Sequence, residues 1–459
     1  MKRSVACNGA TVERLAQVRI AKNDVWMLMR RRVRSITDVA ERQLCTGCGV
    51  CAFVQPGDIQ MVDDVDAGRR PLVRQHSGRG VDTSAALRVC PGIALAHGPD
   101  QPGLIDELRA TWGPVLELWE GHATDDAVRL AGSSGGAATA LARHCLESED
   151  MAGVLHTRAR RDVPYLNETV LSTTAAELLA STGSRYAPAS PCDGLDRIAG
   201  AARPCVFIGK PCDVAAADKA RKADAALDAN LGVTIAIFCA GTPTTRGTFE
   251  MFASMGIADP SAVESVRYRG NGWPGAAEVA FRTESGIERR TLTYGQSWGE
   301  VLQRHRQWRC YVCADHTGEF ADIAVGDPWY REIEPGEPGR SLIVVRTERG
   351  RAVLHRALAR GVLIAERVAP DRLPASQPGL LKVRGAAGGR ILMLRILGIP
   401  APAYAGLPTF HVWLRELSLR DKLRSTLGLV RRAFRKGLFR RHPVVPLRAQ
   451  APDTETDTL

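Results

Sequence analysis

The sequence predicts an α/β protein in three parts: a compact cysteine-bearing module, a layered domain of strands separated by helices, and a basic helical tail. Three observations predict it. Cysteines gather between residues 41 and 100 and again further along. Apolar runs of strand length alternate with helical stretches from residue 115 to 335. The net charge of +11 belongs to the end of the chain: residues 381–450 hold 15 Lys and Arg against 2 Asp and Glu. The first 380 residues are therefore nearly neutral.

At 459 residues, with 45% apolar and 24% charged, the chain has ordinary globular composition. At ~150 residues per domain that suggests two or three domains. The longest apolar stretch, Leu231 to Thr242, is the length of a buried strand; a membrane span needs about 20 residues. The opening MKRSVACNGATVERLA lacks an apolar core of signal-peptide length. An integral membrane protein, a signal-peptide export product and a mainly disordered chain are thus not expected. A neutral body argues against nucleic acid as a partner. Twelve cysteines are too few for a disulfide scaffold. The expected compartment is the reducing cytoplasm, where clustered cysteines point to metal or redox work.

The elements follow in order. Residues 1–40 read as a basic helical extension, with Arg30, Arg31, Arg32 and Arg34 close together on a solvated face. Residues 41–100 are short, punctuated by Gly and Pro, and end in a linker marked by Pro99, Pro102 and Gly103. In the core, 110–385, strands are expected at 151–156, 205–209, 233–239, 323–326 and 341–346. Helices are expected at 136–146, 175–179, 214–227 and 351–359. The tail, 386–459, divides into a linker at 398–409, a helical stretch at 411–441 and a disordered end, PDTETDTL. Leu, Val and Phe interleave with Arg and Lys over 411–441. That stretch is either a helix packed on the body or an amphipathic helix making peripheral membrane contact.

Cys45, Cys48 and Cys51 form C-x2-C-x2-C, and Cys90 is followed by Pro91. Three thiolates at that spacing wrap one face of a 4Fe–4S cube, and a distant Cys-Pro commonly gives the fourth. Gly47 and Gly49 let backbone amides approach the sulfides. The expectation is one 4Fe–4S cluster on these four cysteines; position 55 is Gln, so no second ferredoxin cluster is expected there. The competing readings are a zinc knuckle or free buried thiols.

A second set comprises Cys212, Cys239, Cys310 and Cys313. Cys212 and Cys239 follow strand candidates, at the sheet edge where α/β proteins bind cofactors. The readings left open are a second 4Fe–4S cluster, core cysteines plus a redox C-x2-C pair, and a zinc site using His305 or His316. Cys7, Cys145, Cys192 and Cys205 read as bystanders. The run AGSSGGAATAL, from Ala131 to Leu141, is a small-residue turn entering a helix. Gly135 and Gly136 permit close backbone approach, and Ser133 and Ser134 can cap the helix, leaving amides that favour a phosphate. Ser181 to Tyr186 add hydroxyls, Gly183, a cation in Arg185 and a stacking ring in Tyr186. Lys210 ends a strand and either faces an anionic ring or is solvated. Gly326-Asp327 has the form of a ligand-facing loop.

These motifs, in this order, resemble the beta subunit family of coenzyme F420 hydrogenases and dehydrogenases, whose members include F420-reducing hydrogenase beta subunits and 7-hydroxymethyl chlorophyll a reductase. The resemblance rests on the Cys45–Cys51 run, SSGGAATAL, STGSRY, IGKPC, FCAG and CYVCAD with ADIAVGDPW, and covers residues 40–380. It implies a ferredoxin-like 4Fe–4S module followed by an FAD-binding α/β domain. FAD would lie near Ser134, Gly135, Gly136, Thr139, Gly183, Ser184, Arg185 and Lys210, with Lys210 the catalytic candidate. It implies hydride exchange with a small organic partner, and single-electron exchange with ferredoxin or a partner subunit.

Overall fold

In a computed structural model the protein is described over residues 33–74, 80–99, 101–333 and 336–447. Residues 1–32 of the expected 1–40 extension and the PDTETDTL end lie outside the described residues; the end of the extension forms the helix Ile36–Glu41. The centre is an eight-stranded mixed sheet. Its strands are β1 (Glu117–Ala123), β2 (Val154–Ala159), β3 (Asn167–Ser172), β4 (Cys205–Gly209), β5 (Leu231–Ile237), β6 (Ile323–Gly326), β7 (Ser341–Val345) and β8 (Leu363–Arg367). They lie in the order β8-β1-β7-β6-β5-β4-β2-β3. Strands β2, β4, β5 and β6 run parallel, while β3, β7 and β8 pair antiparallel with their neighbours β2, β6 and β1.

The sheet is buried on both faces, which is why its central strands read as continuous apolar runs. Successive side chains point to opposite faces. Phe207 of β4 and Leu342 and Val344 of β7 join one core with Val214, Ala217 and Ala220 of helix α2 (Pro211–Arg221). Val206, Ile343 and Val345 join the other with Ala140 and Leu141 of helix α1 (Ala137–Ser148). A three-stranded antiparallel sheet, Val263–Arg267, Ala277–Thr283 and Gly286–Leu292, extends from this body.

The cysteine module consists of a hairpin, Ile59–Asp64 with Gly68–Val73, and the short helices Val50–Val54 and Ser84–Val89. It is docked on the body rather than hung from a linker. Cys192 N donates to Cys48 O at 2.9 Å, and Ser190 Oγ to Gly47 O at 2.7 Å. Gly49 makes this approach possible: its φ is +88°, and a Cβ there would lie 2.8 Å from Asp193 N.

Several expectations need correction. The stretch 214–227 is two helices, because Asp224 caps a new one, Ala225–Asn230, through Leu227 N. The boundary at 385/386 falls inside a continuous helix, α3 (Pro378–Ile396), so core and tail share an element. The 398–409 linker contains Ala403–Ala405, which pairs parallel with Ala94–Ala96 near the end of the 41–100 segment. The helical stretch 411–441 is two helices, Thr409–Arg415 and α4 (Leu419–Arg435), the second started by Ser418 Oγ accepting from Asp421 N. Helix α4 packs on the body: Leu429 and Ala433 are buried against Trp308, Ile391 and Leu394.

Candidate cofactor site

The carboxyl ends of β4, β5 and β6 open onto a cavity of about 350 Å³. Ser133, Ser134, Gly136, Thr139, Gly183, Ser184, Arg185, Tyr186 and Lys210 all line it. Gly135 does not; its amide is taken by Ser341 Oγ at 2.9 Å. The serines do not cap α1. Ser134 Oγ donates to Arg340 O, and Ser133 Oγ donates to Arg269 O at 3.2 Å while accepting from Ser184 N at 2.7 Å. Gly136, at φ +72°, is the N-cap, and no side chain satisfies the amides of the first turn. They remain as donors at the cavity wall, the arrangement that suits a phosphate.

Arg185 is turned away from a ligand role. Its guanidinium donates to Asn167 Oδ1, Val266 O and Pro164 O at 2.8 Å each, and to Leu166 O at 3.2 Å. It joins the antiparallel sheet to the main one. The cation that the sequence reading did not single out is Arg269, buried at 3% exposure. Its two terminal nitrogens grip Asp327 at 2.9 and 2.6 Å, and Trp273 Nε1 donates to the same carboxylate at 2.8 Å. Arg269 lies 4.8 Å over the Tyr294 ring and 5.3 Å over Trp329. Trp329 stacks on Tyr294 and Trp273, and Tyr186 packs 5.0 Å from Trp298. One wall is therefore aromatic, a surface that suits a planar ring. Tyr186, Asp327 and Trp329 lie in motifs that the sequence marks; for Arg269 and Trp273 the repeated glycines of RGNGWPG are the local signal.

At the cavity floor Lys210 Nζ pairs with Asp213 Oδ2 at 2.6 Å, and the same oxygen accepts from Lys210 N at 3.0 Å. Burial alone would discharge Lys210, but the Asp213 carboxylate outweighs it and raises the lysine above its ordinary range. Asp213 itself is 1% exposed. The second cysteine set borders this pair, and the first approaches it through Cys192. Cys192, expected to be a bystander, donates to the backbone carbonyl of Asp213 at 3.2 Å and lies beside Cys48, whose thiol it lowers. On the other side, Cys212 and Cys239 lie near Lys210, and Cys239 lines the cavity.

Within each set the thiols are neighbours. Burial pushes Cys90 up to about 12, and Cys48 and Cys45 add to the shift. Cys51 is raised by burial and by Cys45, Cys48 and Cys90. Burial raises Cys239 to about 11, reinforced by Cys310, and raises Cys212, reinforced by Asp213, Cys239 and Cys313. Backbone amides already address two sulfurs: Gly47 N to Cys45 Sγ at 3.3 Å and Thr242 N to Cys310 Sγ at 3.4 Å. Arg70 and Arg309 face Cys45, and Lys219 faces Cys90. Four buried thiols among cations are a donor set that fits an anionic iron–sulfur cluster. Among the described residues, no group of three or more His, Cys, Asp and Glu is placed to hold a single metal ion. Neither His305, paired with Glu250, nor His316, bonded to Cys239 O, completes a zinc site.

A larger cavity, about 1100 Å³, lies at the opposite edge of the sheet between body and tail. None of the sequence-predicted site residues lines it. Its floor is an ion network: His97 Nε2 meets Glu319 Oε2 at 2.9 Å, and Arg384 pairs with the other oxygen. Burial opposes the Glu319 charge, but Arg384, His97 and Arg346 hold its pKa down to about 2.

Two family models match the chain, both of the coenzyme F420 hydrogenase/dehydrogenase beta subunit: its N-terminal part over residues 118–195, and its C-terminal part over 203–371. Together they cover more than half of the chain. The coenzyme F420 hydrogenase subunit beta of Methanococcus voltae is 32% identical over 101 residues, 21% of this chain. Those residues span 34% of that relative, about a third of its length. A chain from the F420-reducing NiFe hydrogenase complex of Methanosarcina barkeri superposes with a TM-score of 0.49 at 19% identity, covering 67% of this chain and 98% of that one. Among the described residues, no helix is long and apolar enough to cross a membrane. The matched segments contain the Ser133–Thr139 turn, the Ser181–Tyr186 turn and all four cysteines of the second set, and the chain belongs to the coenzyme F420 hydrogenase/dehydrogenase beta subunit family.

Proposed function

We propose that the chain is an iron–sulfur flavoprotein oxidoreductase. It passes electrons between 4Fe–4S clusters and FAD and exchanges hydride with a small organic substrate, coenzyme F420 or a compound of a polysaccharide pathway. Cys45, Cys48, Cys51 and Cys90 would hold one cluster; Cys212, Cys239, Cys310 and Cys313 would hold a second. The observation that carries this reading is that Cys239 lines the aromatic-walled cavity with Lys210, while Cys192, beside Cys48 of the first set, donates to the Asp213 backbone carbonyl at its floor.

A flavin supplies both one- and two-electron chemistry to such a site. The chain's own residues do the rest. The first-turn amides of α1 receive a phosphate. Trp329 and Tyr294, held by the Arg269–Asp327 pair, bound a ring from one side. Lys210 keeps a positive charge at the floor because Asp213 is fixed beside it. That charge favours an anionic ring over a neutral one. The electron donor would be ferredoxin or a partner subunit; the name of the Methanococcus voltae relative, a hydrogenase subunit, favours a second reading, an electron-relay subunit of a larger complex. Turnover by the purified chain alone selects the enzyme; turnover only after addition of a co-purifying partner selects the relay.

The ligand assignment is tested by iron content under anaerobic preparation. Cys48→Ser or Cys90→Ser lowers iron and sulfide below wild type, and Cys310→Ser with Cys313→Ser removes about half the iron. Unchanged iron in both single variants contradicts the first set; unchanged iron in the double variant leaves one cluster.

A further inference from the structure

Helix α4 carries three stripes. At about 100° per residue, Ser425, Leu429 and Ala433 form the stripe buried on the body. Leu419, Leu423, Leu427 and Phe434 fall within an arc of about 80° beside it, and all four face solvent, at 72%, 50%, 65% and 69% exposure. Arg420, Arg424, Arg431 and Arg435 form the third stripe, all exposed and without an ion pair among the described residues. On the preceding helix Phe410 and Leu414, one turn apart, are also about half exposed. A helix that has already buried one face has no folding reason to present four large apolar side chains to water.

We propose that this second face docks the protein on an anionic lipid bilayer, with the helix lying in the plane of the interface. The leucines and Phe434 enter the acyl boundary while the arginine row meets lipid phosphates. Charge decides the occupant. The tail holds 15 basic residues against 2 acidic ones over 381–450, so a second copy of this face is repelled. Residues 1–32 carry 8 Lys and Arg against 2 acids, so that segment is repelled as well. Residues 448–459 have three acids, but Leu459 is their one large apolar residue. An anionic bilayer offers both the charge and the hydrocarbon that the two stripes require.

The test is sedimentation of the full chain with phosphatidylcholine vesicles, with and without a minority of phosphatidylglycerol. The full chain sediments with the anionic vesicles, less so as NaCl rises, and stays in solution with neutral ones. Leu423→Ser with Leu427→Ser weakens anionic-vesicle binding by at least about tenfold, since two leucines are withdrawn from the apolar phase. Its melting temperature stays at the wild-type value, because both side chains are exposed in the free protein. Arg424→Glu with Arg431→Glu abolishes binding. No sedimentation, equal binding to neutral vesicles, binding untouched by the leucine pair, or retention on an acidic protein partner without vesicle binding overturns the proposal.

Discussion

Lys210 and Asp213 sit three residues apart, one at the end of β4 and the other in the first turn of α2, so a single bend of the chain sets their 2.6 Å contact. The carboxylate is almost fully buried, and the lysine side chain is 21% exposed. Removing one partner leaves the other charge uncompensated in a low-dielectric corner. Asp213→Asn is therefore expected to destabilise the fold by about 3–5 kcal/mol and to weaken flavin retention, read by urea unfolding and by flavin per chain. A loss under 1 kcal/mol would mean that Lys210 finds another partner or discharges without strain. At this scale the sequence was partly readable. Lys210 stood out because it precedes Cys212 at a strand end. Asp213 and Cys192 did not, because an acid in a helix and an isolated cysteine carry no spacing signal; tertiary packing alone brings Cys192 onto Cys48 and Asp213. Arg185 shows the reverse: a cation in a glycine-rich turn looks like a phosphate ligand, yet four internal acceptors claim it.

The buried parallel strands were readable as elements because both faces are covered, which leaves uninterrupted apolar runs such as CVFIG and SLIVV. Edge and near-edge strands such as β3 and β8 mix polar with apolar residues and gave no such run. Helix ends failed where a cap was overlooked, at Asp224 and Ser418. The tail departs most from its sequence pattern, because Pro, Ala and Gly at 398–409 resemble a linker, while their contacts with 94–96 are non-local. Helix α4 belongs to the folded body. Leu429 is fully buried between α3 and Trp308, so Leu429→Ala is expected to cost about 2–5 kcal/mol, measured as a lowered unfolding midpoint. A change below 0.5 kcal/mol would show that the tail is not docked in solution. The exposed leucines of the same helix should tolerate substitution, which separates the packing face from the face proposed for lipid.

Across the whole molecule, the parallel strands place the Ser133–Thr139 turn, Lys210, Cys239 and Asp327 at one sheet edge, where α/β proteins bind ligands. The cysteine module docks against the same corner through Cys48 and Ser190. This arrangement was legible in outline because cysteine spacing and glycine-rich turns are local signals. The aromatic wall and the second cavity were not, since they are assembled from several segments that are not adjacent in sequence. Both thiol sets would then serve one flavin cavity from two sides. The most direct test is anaerobic purification of the full chain with iron, acid-labile sulfide, zinc and flavin measured on the same sample. About eight iron, eight sulfide and one FAD per chain are expected for two cubanes and one flavin. Zinc in place of iron, or iron without flavin, would contradict it.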